Sequence, residues 1–159
     1  MNRETRRGVH IGDEDVWPGP PLGSLAETDG WLADLANPAS PERMTAAFVL
    51  GSSRRRKRLV RQALRMALSD DDTMVADFAA ASLAELRDIA SLPAIIRLML
   101  TGPPRDRTGS AWAVCEFGRL ADESGHAEAL AALRSFHRRA RGFSRQHAAA
   151  EIERLEKVR

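Results

Sequence analysis

Apolar residues recur at helical spacing along most of the chain, and breakers cut them into short segments. Ser24 and Glu27 form a Ser-x-x-Glu capping box ahead of Trp31, Leu32 and Leu35. Gly30 weakens that helix, and Asn37, Pro38 and Ala39 end it. Ser40 followed by Pro41 predicts an N-cap and a first helical residue, with Ala46, Ala47, Val49 and Leu50 as the apolar face. A helix is expected over residues 54–68, with Leu59, Ala63, Leu64, Ala67 and Leu68 on one stripe. Asp70, Asp71 and Asp72 favour the next helix start, where the macrodipole stabilises negative charge. From there Val75, Phe78, Ala79, Leu83 and Leu86 keep the spacing.

Ser91 is placed to cap a short helix over residues 92–100, with Pro93 tolerated in its first turn. Beyond a breaker at residues 101–104, Trp112, Ala113, Phe117 and Leu120 form another face. Residues 122–125 break again before Ala127, Leu130, Leu133 and Phe136. Ser144 is expected to cap the last helix, with Phe143 stapled against Ala148 and the stripe running through Ile152 and Leu155. Residues 1–23 read differently. Pro18, Gly19, Pro20 and Pro21 restrict the backbone away from helix, so this segment is expected to be a flexible Gly/Pro/acidic tail to a domain over residues 24–159.

The helices repeat. Ala47 and Leu50 recur 33 residues on as Ala80 and Leu83. Ala79, Leu83 and Leu86 recur 34 on as Ala113, Phe117 and Leu120, and 69 on as Ala148, Ile152 and Leu155. A period near 34, one helical hairpin per unit, marks a stacked α-solenoid. Each hairpin alone leaves an apolar face bare, and the next one covers it. Composition agrees: the 26 alanines and 5% aromatics, with no tyrosine, favour closely packed helices over sheets.

The run from Asp72 through Val75, Ala79, Ala80, Leu83 and Leu86 to Asp88, followed by Leu92 and Pro93, resembles a HEAT-like repeat of the phycobilisome-lyase type. In that type an acidic cap opens the first helix of the hairpin (A), an Ala-rich face packs, an Asp turn follows, and Leu-Pro opens the second (B). Residues 107–136 are a degenerate second copy, with His126 and Ala127 in place of Leu-Pro. The resemblance covers roughly residues 40–157. It implies an all-α HEAT-like solenoid of about four hairpins behind an N-terminal capping helix, with B helices lining a concave face. TPR, of similar period, fits worse because its Trp-Leu-Gly-Tyr pattern is missing.

Charge changes the functional picture more than the structural one. The net of +2 hides blocks: −4 over residues 1–40, +6 over 41–70, −3 over 71–103 and +3 over 104–159. Arg54, Arg55, Arg56, Lys57 and Arg58 open a helix, the end at which cations cost about a few tenths of a kcal/mol or more each. Arg58, Arg61 and Arg65 continue at spacings of three and four along one face. With the resemblance, that helix is a B helix, and Arg97, Arg134 and Arg138 lie on the next two. The expected site is this basic face. The bland alternative is a solvated arginine surface, since arginine outnumbers lysine 22 to 2, a skew that a GC-rich bacterial genome also produces.

Catalytic patterns are sparse. There is no His-Glu-x-x-His, no phosphate-binding Gly-rich loop and no Gly-x-Ser-x-Gly. His126-Ala127-Glu128 lacks the Pro-Cys-x-x-Cys that a zinc deaminase adds, because Cys115 is the sole cysteine. That cysteine reads as a buried, inert thiol, and the histidines as boundary residues. No apolar run approaches the ~20 residues of a membrane span, and no signal-peptide core is seen. The expectation is a cytoplasmic, non-enzymatic scaffold without cofactor or metal that holds an acidic protein partner. The alternative is nucleic-acid binding through the same groove, in the manner of HEAT-like DNA glycosylases. The acidic run Asp13, Glu14 and Asp15, followed by Val16 and Trp17, is a candidate competitor for the basic face.

Overall fold

The computed structural model of the chain describes residues 24–158, which leaves the predicted tail outside the described residues. Eight α-helices carry the described part: α1 (Leu25–Asp34), α2 (Ser40–Leu50), α3 (Lys57–Ala67), α4 (Thr73–Glu85), α5 (Leu92–Leu100), α6 (Thr108–Leu120), α7 (Glu123–Arg139) and α8 (Gly142–Glu156). The packing is periodic. Helix α2 stacks on α4, α4 on α6 and α6 on α8, which makes one layer. The other helices pack on the unit that follows them, α1 on α2, α3 on α4, α5 on α6 and α7 on α8, and α7 packs on α6 of its own unit as well. This is an all-α solenoid. It contains three hairpins, α2–α3, α4–α5 and α6–α7, with α8 as the first helix of a fourth unit and α1 in the N-terminal capping position.

Alanine explains why the first layer stacks. Ala46, Ala47 and Leu50 of α2, Ala79, Ala80 and Leu83 of α4, Ala113, Val114 and Phe117 of α6, and Ala148 and Leu155 of α8 are all fully buried. Small side chains bring the backbones close enough for side chains to bond across the joint. Ser82 Oγ donates to the Ala47 carbonyl at 2.6 Å. A Cβ on Gly51 would lie 2.7 Å from that same oxygen, so only glycine fits there. One unit on, Asp77 of α4 accepts from the Gly109 and Ser110 amides at 2.9 and 2.7 Å, and from Ser110 Oγ at 2.6 Å. Arg107, at the N-cap of α6, makes no side-chain cap. The cap comes instead from the neighbouring helix, and it satisfies amides that a helix start leaves unpaired. A Cβ on Gly109 would fall 2.7 Å from Asp77 Oδ2. Burial raises the Asp77 carboxyl pKa against the pull of these donors and of the Arg107 charge.

Local starts and stops follow the sequence with four differences. The Ser24–Glu27 capping box forms, and Asp72 caps α4 through the Met74 and Val75 amides. Helix α2 begins at Ser40, but its N-cap is Ala39, without a side-chain bond. Ser91 stands at the N-cap of α5, yet its hydroxyl donates to Asp88 instead of capping. Helix α8 begins earlier, at Gly142, which takes the left-handed φ +53°. Ser144 is therefore inside the helix, and Phe143, 71% exposed, stacks over His147 rather than stapling to Ala148.

The fourth difference is in α3. It starts at Lys57, so Arg54 and Arg55 precede the helix and Arg56 takes the N-cap position with left-handed φ +47°. Its buried stripe is Val60, Leu64 and Ala67, while Leu59 is 48% exposed. Two apolar stripes one residue apart run along this helix, and the β-branched Val60 has taken the core.

Leu83 sits at 0% exposure in the central helix of the stack. Leu83→Ala should lower the unfolding free energy by about 2–5 kcal/mol in urea denaturation, with the helical circular dichroism of the folded baseline retained.

Candidate interaction surface

The ten predicted basic residues separate into two groups. Arg56 pairs with Asp29 of α1 at 2.5 Å. Arg61 donates through Nη2 to the Leu86 carbonyl at 2.7 Å, at the end of α4. Arg65 reaches Asp88 in a two-point bond at 2.5 and 2.7 Å and also touches Ser91 Oγ. Arg134 of α7 bonds Glu156 of α8 at 2.7 Å. All four join one unit to another. Arginine suits this work because its planar fork binds a carboxylate at two points and its five N–H donors can also reach carbonyls.

The same use recurs at arginines outside the predicted set. Arg43 spans Asp70, Asp71 and the Asn37 and Pro38 carbonyls. The buried Arg107 donates to the carbonyls of Thr73, Leu98 and Thr101. Arg139 bonds the Leu100 and Gly102 carbonyls, and Arg154 holds both Glu116 and Glu151. The carbonyls of Leu98, Leu100, Thr101 and Gly102 lie at or just beyond the end of α5, and helix ends leave carbonyls that need donors.

The second group is Arg54, Arg55, Lys57, Arg58, Arg97 and Arg138. All six are exposed, and among the described residues none of their side chains has a hydrogen bond or ion pair. Four of them gather at the start of α3, where the first turn carries no acid. The same helix exposes Leu59 and Met66, seven residues apart and so on one face; Met66 is 73% exposed. Cations beside a bare apolar stripe are what an acidic, partly apolar segment would meet. The sequence reading missed the apolar half because it placed Leu59 in the core. The signal was there, in the doubled stripe of Leu59 and Met66 beside Val60 and Ala67.

A cavity of about 420 Å³ lies elsewhere, between the ends of α4, α6 and α8. Trp112, Leu120 and Val158 line it together with Glu85, Arg87 and Arg119. Arg87 has φ +53° at the position after α4 where the Asp88 amide returns to the Leu83 carbonyl, a turn that usually takes glycine. The wall charges alternate in sign, and none of the ten predicted residues is among the lining residues.

The candidates for chemistry are occupied structurally. Cys115 is buried, and burial together with the nearby Glu151 pushes its thiol up to about 12. His126 Nδ1 lies 3.1 Å from the Gly118 carbonyl, and His147 Nε2 lies 3.0 Å from that of Thr108. Among the described residues no three His, Cys, Asp or Glu side chains converge as a metal site, and no helix is long and apolar enough to cross a membrane.

A ladder of helical hairpins with polar joints and an outward charged face defines a repeat protein. The pattern of HEAT repeats matches residues 28–115, more than half of the chain, and the chain belongs to the HEAT-repeat family. No curated protein matches it.

The Arg65–Asp88 joint carries a pH signature. Burial would raise the Asp88 carboxyl, but hydrogen bonds from Arg65 and Ser91, with the charges of Arg65 and Arg61, hold it below the usual range. A depressed carboxyl stabilises the fold above its unfolded value, about 3.9, and loses that contribution as pH falls through the folded one. Stability should therefore fall below about pH 4, and Asp88→Asn should be less stable at pH 7 with a shallower acid decline. Urea midpoints between pH 2.5 and 7 measure both.

Proposed function

We propose that this HEAT-repeat chain is a non-catalytic scaffold that holds an acidic protein partner on the basic face opened by α3. One observation carries the reading: Arg54, Arg55, Lys57 and Arg58 stand exposed at a helix start and have no partner among the described residues. The helix dipole disfavours cations there, so their charge is available to a ligand rather than used by the fold. Arg97 and Arg138 extend the positive surface along the B helices α5 and α7, the concave side in the family's usual arrangement.

HEAT repeats commonly serve as protein-interaction scaffolds, which agrees with this assignment. Within the family, residues 72–96 read as a phycobilisome-lyase-type unit, on the Asp72 cap, the alanines of α4 and the Leu92-Pro93 start of α5. The scaffold role does not depend on that subtype. A protein fits the face better than a nucleic-acid duplex does. A duplex needs a continuous row of phosphate ligands, and Arg61, Arg65 and Arg134 donate to their own chain. The exposed Leu59 and Met66 also have no use against a phosphate backbone.

The test replaces Arg54, Arg55, Lys57 and Arg58 together by Glu and measures binding of a labelled, glutamate-rich peptide containing leucine, beside a labelled DNA duplex. The wild-type chain should bind the peptide more tightly than the duplex, and the variant should lose the peptide by at least tenfold while keeping its fold. If the duplex is preferred, with a salt slope near −0.9 per phosphate contact, nucleic acid replaces protein as the partner. Unchanged peptide binding in the variant would remove α3 from the site.

A further inference from the structure

We infer that the α3 face has an occupant within this chain: the segment Asp13, Glu14, Asp15, Val16 and Trp17, which competes there with an outside partner. The inference rests on the docking reading of α3 and adds its regulation. Its first support is complementarity of two kinds. Three consecutive acids complement in sign the four cations that lack a partner among the described residues, and the Val16-Trp17 pair that follows matches in character the exposed Leu59 and Met66. A charge run alone would fit any basic surface. The order of acids followed by bulky apolar residues fits a helix start rich in arginine that continues into an exposed apolar stripe.

The second support is reach. The described chain begins at Ser24, the N-cap of α1. Asp29, five residues along the same helix, is held by Arg56 at the start of α3. At about 1.5 Å per helical residue, Ser24 lies only ~8 Å along α1 from that ion pair. Asp15 lies nine positions before Ser24, and an extended chain spans up to about 30 Å over that length. The chain length therefore puts the cations within reach of the acidic segment. A tether this short supplies an effective concentration in the millimolar range, enough for a weak contact to compete.

The consequence is a scaffold whose binding face is guarded by a segment that any tighter acidic ligand displaces. The experiment compares the full chain with a variant carrying Asp13→Asn, Glu14→Asn, Asp15→Asn and Trp17→Ala, all outside the described residues. The probe is a labelled synthetic peptide with the sequence of residues 11–19, followed by fluorescence anisotropy. The variant should bind the peptide roughly two- to tenfold more tightly than the full chain at low salt. The gap should close as ionic strength rises. Adding the four Glu substitutions at positions 54, 55, 57 and 58 to the variant should abolish peptide binding. Equal affinity of the full chain and the variant would overturn the internal competitor and leave α3 as a docking face. Peptide binding that survives the four Glu substitutions, or no binding to any of the chains, would overturn both.

Discussion

The close approach of α2, α4, α6 and α8 is the constraint on which the rest of the molecule depends. Fully buried alanines at Ala46, Ala47, Ala79, Ala80, Ala113 and Ala148 keep the helices near enough for polar groups to cross between units. That nearness puts Ser82 against the Ala47 carbonyl and lets Asp77 cap a helix other than its own. A larger residue at Gly51 or Gly109 would push these groups apart. The apolar layer sets the spacing, and the polar joints lock the register. Buried polar groups are costly unless paired, so a hairpin that slipped by one residue would leave Asp77 and the Gly109 and Ser110 amides unsatisfied.

Arginine is divided between two tasks. Beside the stack, Arg43, Arg65, Arg107, Arg139 and Arg154 tie turns and carboxylates of successive units together. At the start of α3, Arg54, Arg55 and Arg58 do the opposite and have no partner among the described residues, while Arg56 between them pairs with Asp29. An abundance of arginine in the sequence therefore has two meanings in one chain. The unpaired set is smaller than the basic stripe, and exposed Leu59 and Met66 lie on the same helix.

The fold was legible because its signal is periodic. The recurrence of Ala47 and Leu50 at Ala80 and Leu83, and of Ala79 and Leu83 at Ala113 and Phe117, reports the stack directly. Caps with a local mechanism were equally legible, as at Ser24 and Asp72. Ser91 and Ser144 were not, because their hydroxyls are used by tertiary neighbours or lie inside the helix. The candidate site was half legible. Spacing places Arg58, Arg61 and Arg65 on one side of α3, but it cannot say that Leu86 and Asp88 of the next unit take two of them. Nor does periodicity choose between Leu59 and Val60 when both stripes are apolar; the packing of α3 on α4 makes that choice.

If the outward face of α3 is the ligand surface, the joints beneath it should stay closed when a ligand binds there. Amide chemical-shift mapping of the full chain during titration with a short glutamate-rich peptide tests this most directly. The largest shifts should fall within residues 54–66, with the amides of Gly109 and Ser110 at the Asp77 joint unmoved. Shifts centred instead on Trp112, Arg119 and Leu120 would place the ligand in the cavity between α4, α6 and α8 and contradict the account.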